Sequence, residues 1–402
     1  MQTAIHLFVI WNRAESWRTK IIDDLKSKFI IKETYEIKWD FDLFGINLAR
    51  FYGSKLPTNS PKETRIGRGP FTLVIVEDQN PNLQERRTRA NKTEIVNTNI
   101  FDCKTKYRQW TKDETSIPDL IHSSNSIKET SRDLTLLLGV NMDEYLNKSD
   151  LKKWNGKIKK LSLNIIGAHG WPNINKLLFV LNSTTEYVIL RNFESIPEQL
   201  NSPKHKDIDF LVSDYEEVRM LLNAKPLTSI PYRVLNEVEI NGILTPIDLR
   251  NIGDGYYDEQ WERSILKSRI WDNKGFYKPN KENYFYSLIY HALIHKTNMS
   301  GDYKSKLNLL SEELKINNFN RTALDNFMNI NNYSYSVPTD KSVKFVPDIE
   351  ARQLKKERIE NSFILKIFYL FYRRIYHPNK NVPSRLIKTF YHITKRCKTL
   401  LQ

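Results

Sequence analysis

At 402 residues the chain has room for two or three domains, each burying a core of its own. Its 62 Lys and Arg against 47 Asp and Glu leave a net charge of +15, which directs attention to acidic partners: nucleotides, nucleic acid, phosphorylated glycans or an anionic membrane face. Cys103 and Cys397 stand far apart, form no metal pattern and suit a reducing cytosol. The absence of any run of about 20 apolar residues predicts no membrane-spanning helix, and residues 1–10, broken by Gln2 and His6, are too short for a secretory signal.

In chain order, Leu7-Phe8-Val9-Ile10 predicts a strand and 17–29 a helix. Gly69-Pro70 leads into a second apolar strand, Phe71-Thr72-Leu73-Val74-Ile75-Val76. Two basic clusters follow, Arg86-Arg87-Thr88-Arg89 and then Lys104, Lys106 and Arg108. They bracket His122, which precedes a polar turn, Ser123-Ser124-Asn125-Ser126, and a helix predicted over 127–139. Small polar side chains cap helix starts, and the free N–H groups there, with the positive end of the helix dipole, attract phosphate. A histidine beside such a site could carry or position a phosphoryl group.

The segment Asp119-Leu-Ile-His122-Ser-Ser124-Asn125-Ser126, followed by Glu129 and Arg132-Asp133, resembles the active-site histidine region of nucleoside diphosphate kinases. The Gly69-Pro70 strand and the opening strand and helix are similar to that family's as well, so the resemblance covers roughly residues 5–140. It implies a ferredoxin-like domain over 1–148, with His122 as the phosphoryl carrier. The family's basic segment closes over its histidine. Arg87, Arg89, Lys104, Arg108 and Asn125 are therefore candidate substrate ligands. Three features depart from the family pattern: Ile10-Trp11-Asn12-Arg13 replaces its Lys-Pro-Asp turn, Asp119 replaces an asparagine, and an insertion around 102–118 replaces a compact arginine-bearing loop.

After a junction at 147–150, a mixed α/β pattern is predicted over 149–280: a helix at 174–182, strands at 187–190 and 208–212, a helix at 215–223, and strands near 232–238 and 246–250. Within Lys206-Asp207-Ile208-Asp209-Phe210, alternation along a strand projects Asp207 and Asp209 together. Such a pair suits Mg²⁺ and triphosphate oxygens, and Asp248, in Pro246-Ile247-Asp248-Leu249-Arg250, offers the third carboxylate. The arrangement resembles the nucleotidyltransferase fold, over about residues 160–300. That superfamily includes sugar-phosphate and phosphocholine transferases acting on surface glycans. Its upstream Gly-Ser turn is replaced here by Leu190-Arg191-Asn192, so Arg191 and Asn192 become the candidate phosphate donors.

A helical accessory region is predicted over 281–345. His291 and His295 lie four apart in it, but Ala292 stands where a metalloprotease motif needs glutamate, which favours packed, hydrogen-bonded histidines. The tail, 346–402, is basic and amphipathic, a pattern suited to an anionic membrane surface. The leading expectation is an α/β (α+β) enzyme: a Mg²⁺-dependent transferase of a nucleotidyl or phosphorylated sugar or polyol group. It would take a nucleotide-linked donor and a glycan acceptor in bacterial surface polysaccharide assembly, in the cytoplasm or peripherally at the inner membrane face. Phosphoryl transfer through His122 is the second expectation. Non-catalytic nucleotide or nucleic-acid binding ranks last.

Overall fold

The computed structural model describes residues 3–53, 56, 60–87, 93–148, 154–196, 207–227, 234–296 and 299–347. Two compact units emerge, one of residues 1–291 with 300–343, the other of 292–299 with 344–402. In the second, the Val346 amide donates to the Ile294 carbonyl. Beyond Pro347 the predicted basic tail lies outside the described residues.

The larger unit is a mixed α/β structure built on two five-stranded sheets. It opens with β1 (Ala4–Ile10), α1 (Arg18–Lys26) and β2 (Ile30–Lys38). Helices α2 (Phe44–Tyr52) and α3 (Lys62–Ile66) lead to β3 (Phe71–Asp78). A hairpin of β4 (Leu83–Arg87) and β5 (Thr93–Asn97) precedes α4 (Thr98–Thr115) and β6 (Ile121–Ser123). Then come α5 (Ile127–Leu138), α6 (Met142–Lys148) and β7 (Lys159–Ser162).

The first sheet runs β6-β1-β3-β2-β7, antiparallel throughout except that β7 lies parallel to β2. Every residue of β1 is buried, His6 included, as the apolar run Leu7-Phe8-Val9-Ile10 predicts for a strand covered on both faces. Trp11, Trp39 and Phe71 pack edge-to-face beside it, with ring centres 4.8–5.9 Å apart. Of the stretch 102–118, expected as an insertion, residues 102–115 belong to the long α4. Its buried Ile100, Cys103, Lys104, Tyr107 and Thr111 keep helical spacing, and the Asn97 side chain caps its start.

The second sheet follows α7 (Ile174–Thr184) and consists of β8 (Tyr187–Arg191), β9 (Ile208–Val212), β10 (Lys225–Pro226), β11 (Leu235–Ile240) and β12 (Ile243–Asn251), with α8 (Tyr215–Leu221) after β9. Its order is β10-β11-β12-β9-β8, and β9 and β12 are its parallel pair. The two strands expected near 232–238 and 246–250 form one hairpin across Asn241-Gly242, both left-handed (φ 51° and 73°), where the absence of a Gly242 side chain makes the turn inexpensive.

A cluster of C-terminal helices completes the unit. These are α9 (Glu259–Lys267), then, after the two-stranded ribbon β13 (Ile270–Asp272) and β14 (Phe276–Lys278), α10 (Lys281–Tyr290), α11 (Gly301–Leu314) and α12 (Arg321–Ile330). Stacked rings, Tyr286 on Phe327 and Trp261 on Tyr333, join them. Residues 291–295 form a π-helical turn rather than continuing α10. Among the described residues no helix is long and apolar enough to cross a membrane.

Arg50 of α2 ties the first sheet's helices to the second sheet's. It is buried and meets no carboxylate among the described residues; instead its guanidinium donates to four backbone carbonyls, Ile165, Ile166, Met220 and Leu221, at 2.6–3.4 Å. Burial pulls its pKa down to about 9, so the charge survives at neutral pH. Replacing Arg50 with Met keeps the bulk but strands four carbonyls. Urea denaturation should record a loss of roughly 3–5 kcal/mol. A loss below about 1 kcal/mol would mean that water replaces the guanidinium.

Candidate functional site

His122 is set on β6, opposite Val9 of β1. The turn after it is pinned from below: the Leu7 amide donates to Ser124 Oγ, and His6 Nδ1 contacts the Ser124 carbonyl at 3.0 Å. Helix α5 starts where expected, its Ser126 side chain accepting from the Glu129 amide, while Glu129 Oε2 accepts from the Asn125 amide at 2.8 Å. One turn further along, Asp133 is fully buried and receives His122 Nε2 at 2.8 Å. His122 Nδ1 makes no hydrogen bond among the described residues, yet is not a sealed buried atom.

Burial first, then the positive charges of Lys104, Arg108 and Lys62, hold the His122 pKa well below its usual value despite Glu129. The imidazole is therefore neutral at pH 7, and its contact with Asp133 is a hydrogen bond to a carboxylate rather than an ion pair. Phe51 and Tyr52 stand edge-on to the ring, at 5.0 and 5.7 Å.

Of the predicted ligands, Lys104 reaches Asn125 Oδ1, and Arg108 donates to the Ile121 carbonyl beside His122. Both come from one face of α4, four residues apart. Arg87 is exposed on the β4–β5 hairpin, and Arg89 lies outside the described residues. Lys62 of α3 was missed by sequence reasoning; it is buried, with its ammonium over the Tyr52 ring.

His122, Glu129 and Asp133 bring three ligand atoms within 4.8 Å of one another, a spacing at which they could hold a divalent cation. The donor set is less suited to it than the spacing. Glu129 is taken up by Asn125, Asp133 by His122 and Arg132, and three cations raise the local potential. An anion fits those surroundings better.

The second constellation lies on the other sheet. Asp209 of β9 is the register partner of Asp248 on the parallel β12 and of Arg191 on the antiparallel β8, so the three side chains share a face. Asp207, two residues back, has the same parity. Arg191 donates to Asp209 Oδ1 at 2.6 Å and to the Tyr256 hydroxyl at 2.8 Å, and lies 3.3 Å from His291 Nδ1. His291 is thus a packed, hydrogen-bonded histidine, as its sequence context suggested.

Arg250 stands 3.6 Å from both Asp248 and Asp340. Asn192 takes up the left-handed conformation (φ 60°) and accepts from Lys306 of α11 at 3.1 Å. Burial first, then the Asp209 charge, push the Asp248 carboxyl up to about 6 against the pull of Arg250 and Arg191; Asp207 adds to the push. Tyr256, Arg250, Lys306 and Asp340 carried no sequence signal. Long-range packing, not local pattern, delivers them.

No family model and no curated protein matches the chain. Among solved structures, a weak and partial similarity connects it to the solution structure of the antibiotic-resistance factor ANT(2'')-Ia, with 15% identity over 40% of this chain and 93% of that one, and a TM-score of 0.25. A likeness of that size carries no argument about this chain's fold or chemistry.

The loop that delivers Tyr256 rests on a second acidic pair. Buried Glu262 accepts from the Gly253 and Tyr257 amides, and burial, followed by the charge of Asp254, pushes its pKa up to about 8. A folded-state pKa above the unfolded value of 4.5 means that the native chain binds the extra proton. This contribution is complete below about 4.5 and is lost as pH rises through about 8. Denaturation measured across that window should therefore show stability falling with pH, and Glu262→Gln should flatten the slope. An unchanged slope would assign the pH dependence to other groups.

Proposed function

We propose that the chain is a metal-dependent transferase acting at phosphorus, with Asp207, Asp209 and Asp248 as its working carboxylates. It would move a nucleotidyl or phosphorylated sugar or polyol group from a nucleotide-linked donor to a glycan hydroxyl. The observation that carries this reading is the in-register placement of Asp209 and Asp248 on neighbouring parallel strands, with Asp248 pushed up to about 6. Carboxylates held together against their own repulsion suit a divalent cation, because a cation relieves that repulsion. The β9–β12 parallel pair between antiparallel β8 and β11, with a helix before β8 and another after β9, further supports a nucleotidyltransferase-like reading of the central region.

The three aspartates would hold Mg²⁺, which when bound supplies charge neutralisation for donor phosphates. Arg191 already supplies part of the counter-charge at Asp209, and would have to release Tyr256 or Asp209 to bind a phosphate. As the acceptor oxygen bonds to phosphorus and the bond to the leaving phosphate breaks, the acceptor's proton passes to a carboxylate. Asp248, pushed up to about 6 by burial and the Asp209 charge, is matched to receive it. The basic tail would bring this chemistry to an anionic membrane face, as part of surface polysaccharide assembly.

A thermal-shift series with nucleotides and nucleotide-linked sugars or polyols tests the reading. Stabilisation should require Mg²⁺ and vanish when Asp207 and Asp209 are both alanine. With a donor in hand, Asp209→Asn should cost at least about 100-fold in turnover, roughly 3 kcal/mol, while circular dichroism stays native. Full activity in that variant would end the proposal.

A second reading, phosphoryl transfer through His122, is favoured by a separate observation: a neutral imidazole with Nε2 held by Asp133 and no hydrogen bond at Nδ1 among the described residues, lowered in pKa by burial and by the charges of Lys104, Arg108 and Lys62. The antiparallel order β6-β1-β3-β2, with α1 between β1 and β2 and α4 before β6, supports a ferredoxin-like, nucleoside diphosphate kinase-like reading of the first sheet. Incubation with γ-labelled ATP or GTP and Mg²⁺ should give an acid-labile phosphohistidine that is lost in His122→Asn. Label that persists in the variant, or none across all nucleotides, would remove this reading.

A further inference from the structure

Asp133 is fully buried and meets both His122 and Arg132. Its Oδ2 meets His122 Nε2 at 2.8 Å, and its Oδ1 meets Arg132 Nη1 at 3.1 Å. A buried carboxylate persists as an anion only when a counter-charge and hydrogen bonds compensate for lost water. His122, neutral here, supplies a hydrogen bond but no charge. Arg132 brings a positive charge to Asp133 Oδ1.

Arg132 is itself held from three sides. Its Nη2 is 3.4 Å from the Arg50 carbonyl, its Nε is 3.7 Å from Glu217 Oε1 on α8, and only 14% of its side chain is exposed. Gly53, at the end of α2 with φ +59°, makes the space for this arrangement. A Cβ there would stand 3.3 Å from the Glu217 side chain and 3.4 Å from Arg132 Nη2. Glu217 belongs to the first turn of α8, the helix that follows the Asp209 strand.

We propose that Arg132 is a positioning residue for His122: by occupying one oxygen of Asp133 it directs the other to the Nε2–H of the imidazole, fixing the tautomer whose Nδ1 lone pair is free to attack phosphorus, while Glu217 steadies Arg132 from the second sheet. This rests on the reading of His122 as a phosphoryl acceptor. When Nδ1 forms its bond to phosphorus and the donor's bond to its leaving group breaks, the ring still carries its Nε2 proton and becomes cationic. An ionised Asp133 stabilises that charge. Without Arg132, Asp133 would take up a proton or turn toward other donors, and the ring would be free to carry its proton on Nδ1, where it blocks attack.

The test uses the full chain with ¹⁵N-labelled histidine, as wild type and as Arg132→Gln, Arg132→Lys and Glu217→Gln, with His122→Asn to assign the signals. Long-range ¹H–¹⁵N spectra should show His122 as the Nε2–H tautomer in the wild type. That signature should be lost in Arg132→Gln, retained in Arg132→Lys, and partly averaged in Glu217→Gln. Phosphoramidate, a small donor that needs no nucleotide pocket, transfers its phosphoryl group as its P–N bond breaks and ammonia departs. It should label His122 on Nδ1 in the wild type and at least about tenfold more slowly in Arg132→Gln, with partial rescue by lysine.

An unchanged tautomer in Arg132→Gln overturns the proposal. Should that variant fail to fold, an unchanged tautomer in the half-exposed Glu217→Gln removes the second-sheet part, and an Arg132→Lys ring off the Nε2–H form removes the rest. If phosphoramidate labels His122 but no nucleotide does, phosphoryl transfer from nucleotides falls while Arg132's role is still decided by the spectra.

Discussion

The buried Arg50 guanidinium is the interaction on which the rest of the larger unit depends. It lies on a helix of the first sheet and spends its donors on the carbonyls of two segments beside the second. Peptide carbonyls carry no net charge, so the arginine keeps its own; partners of this kind satisfy a buried cation by geometry rather than by neutralisation. Such an arrangement tolerates little drift, because every bond is short-ranged and directional. Trp171 packs against the same guanidinium and donates its own indole N–H to the Leu222 carbonyl, so the junction is closed by aromatic surface as well as by hydrogen bonds. The Arg132 side chain, which reaches the Arg50 carbonyl, inherits its position from this junction.

The two candidate sites handle charge in opposite ways. Around His122 the imbalance is positive, and a neutral ring sits among lysines and an arginine. Around Asp209 and Asp248 the carboxylates crowd together, and Arg191 and Arg250 answer them from the same sheet face. Concentrated positive charge attracts anions such as phosphate, while crowded carboxylates attract a divalent cation. On the proposed readings, one half would contribute a nucleophile and the other hard oxygen ligands.

Much of this was legible in the sequence where local rules govern. The buried runs of β1 and β3, the Ser126 and Gly139 caps of α5, and the parity of Asp207 and Asp209 all follow from spacing alone. Helix α4 was legible but unread, since its apolar positions keep a 3.6 period beneath a dense coat of charge. The Asn241-Gly242 turn likewise carried a strong short hairpin signal. The partners were not legible. Nothing near Asp133 in sequence says that its neighbour Arg132 will meet Glu217, and nothing near Arg191 announces Tyr256, because such pairs are chosen by how the sheets and helices pack.

Strand β7 has a consequence for how the chain can be divided. It comes after residue 148 in sequence, yet lies along β2 with four residues in register, Tyr35 through Lys38 against Lys159 through Ser162. A fragment ending at 148 would retain β6-β1-β3-β2 but expose a free row of amides and carbonyls along β2. Open edges of this kind recruit strands from other molecules. Such a fragment would therefore be prone to edge-to-edge aggregation, with its surviving core intact, and its insolubility would say nothing about whether the first sheet can fold.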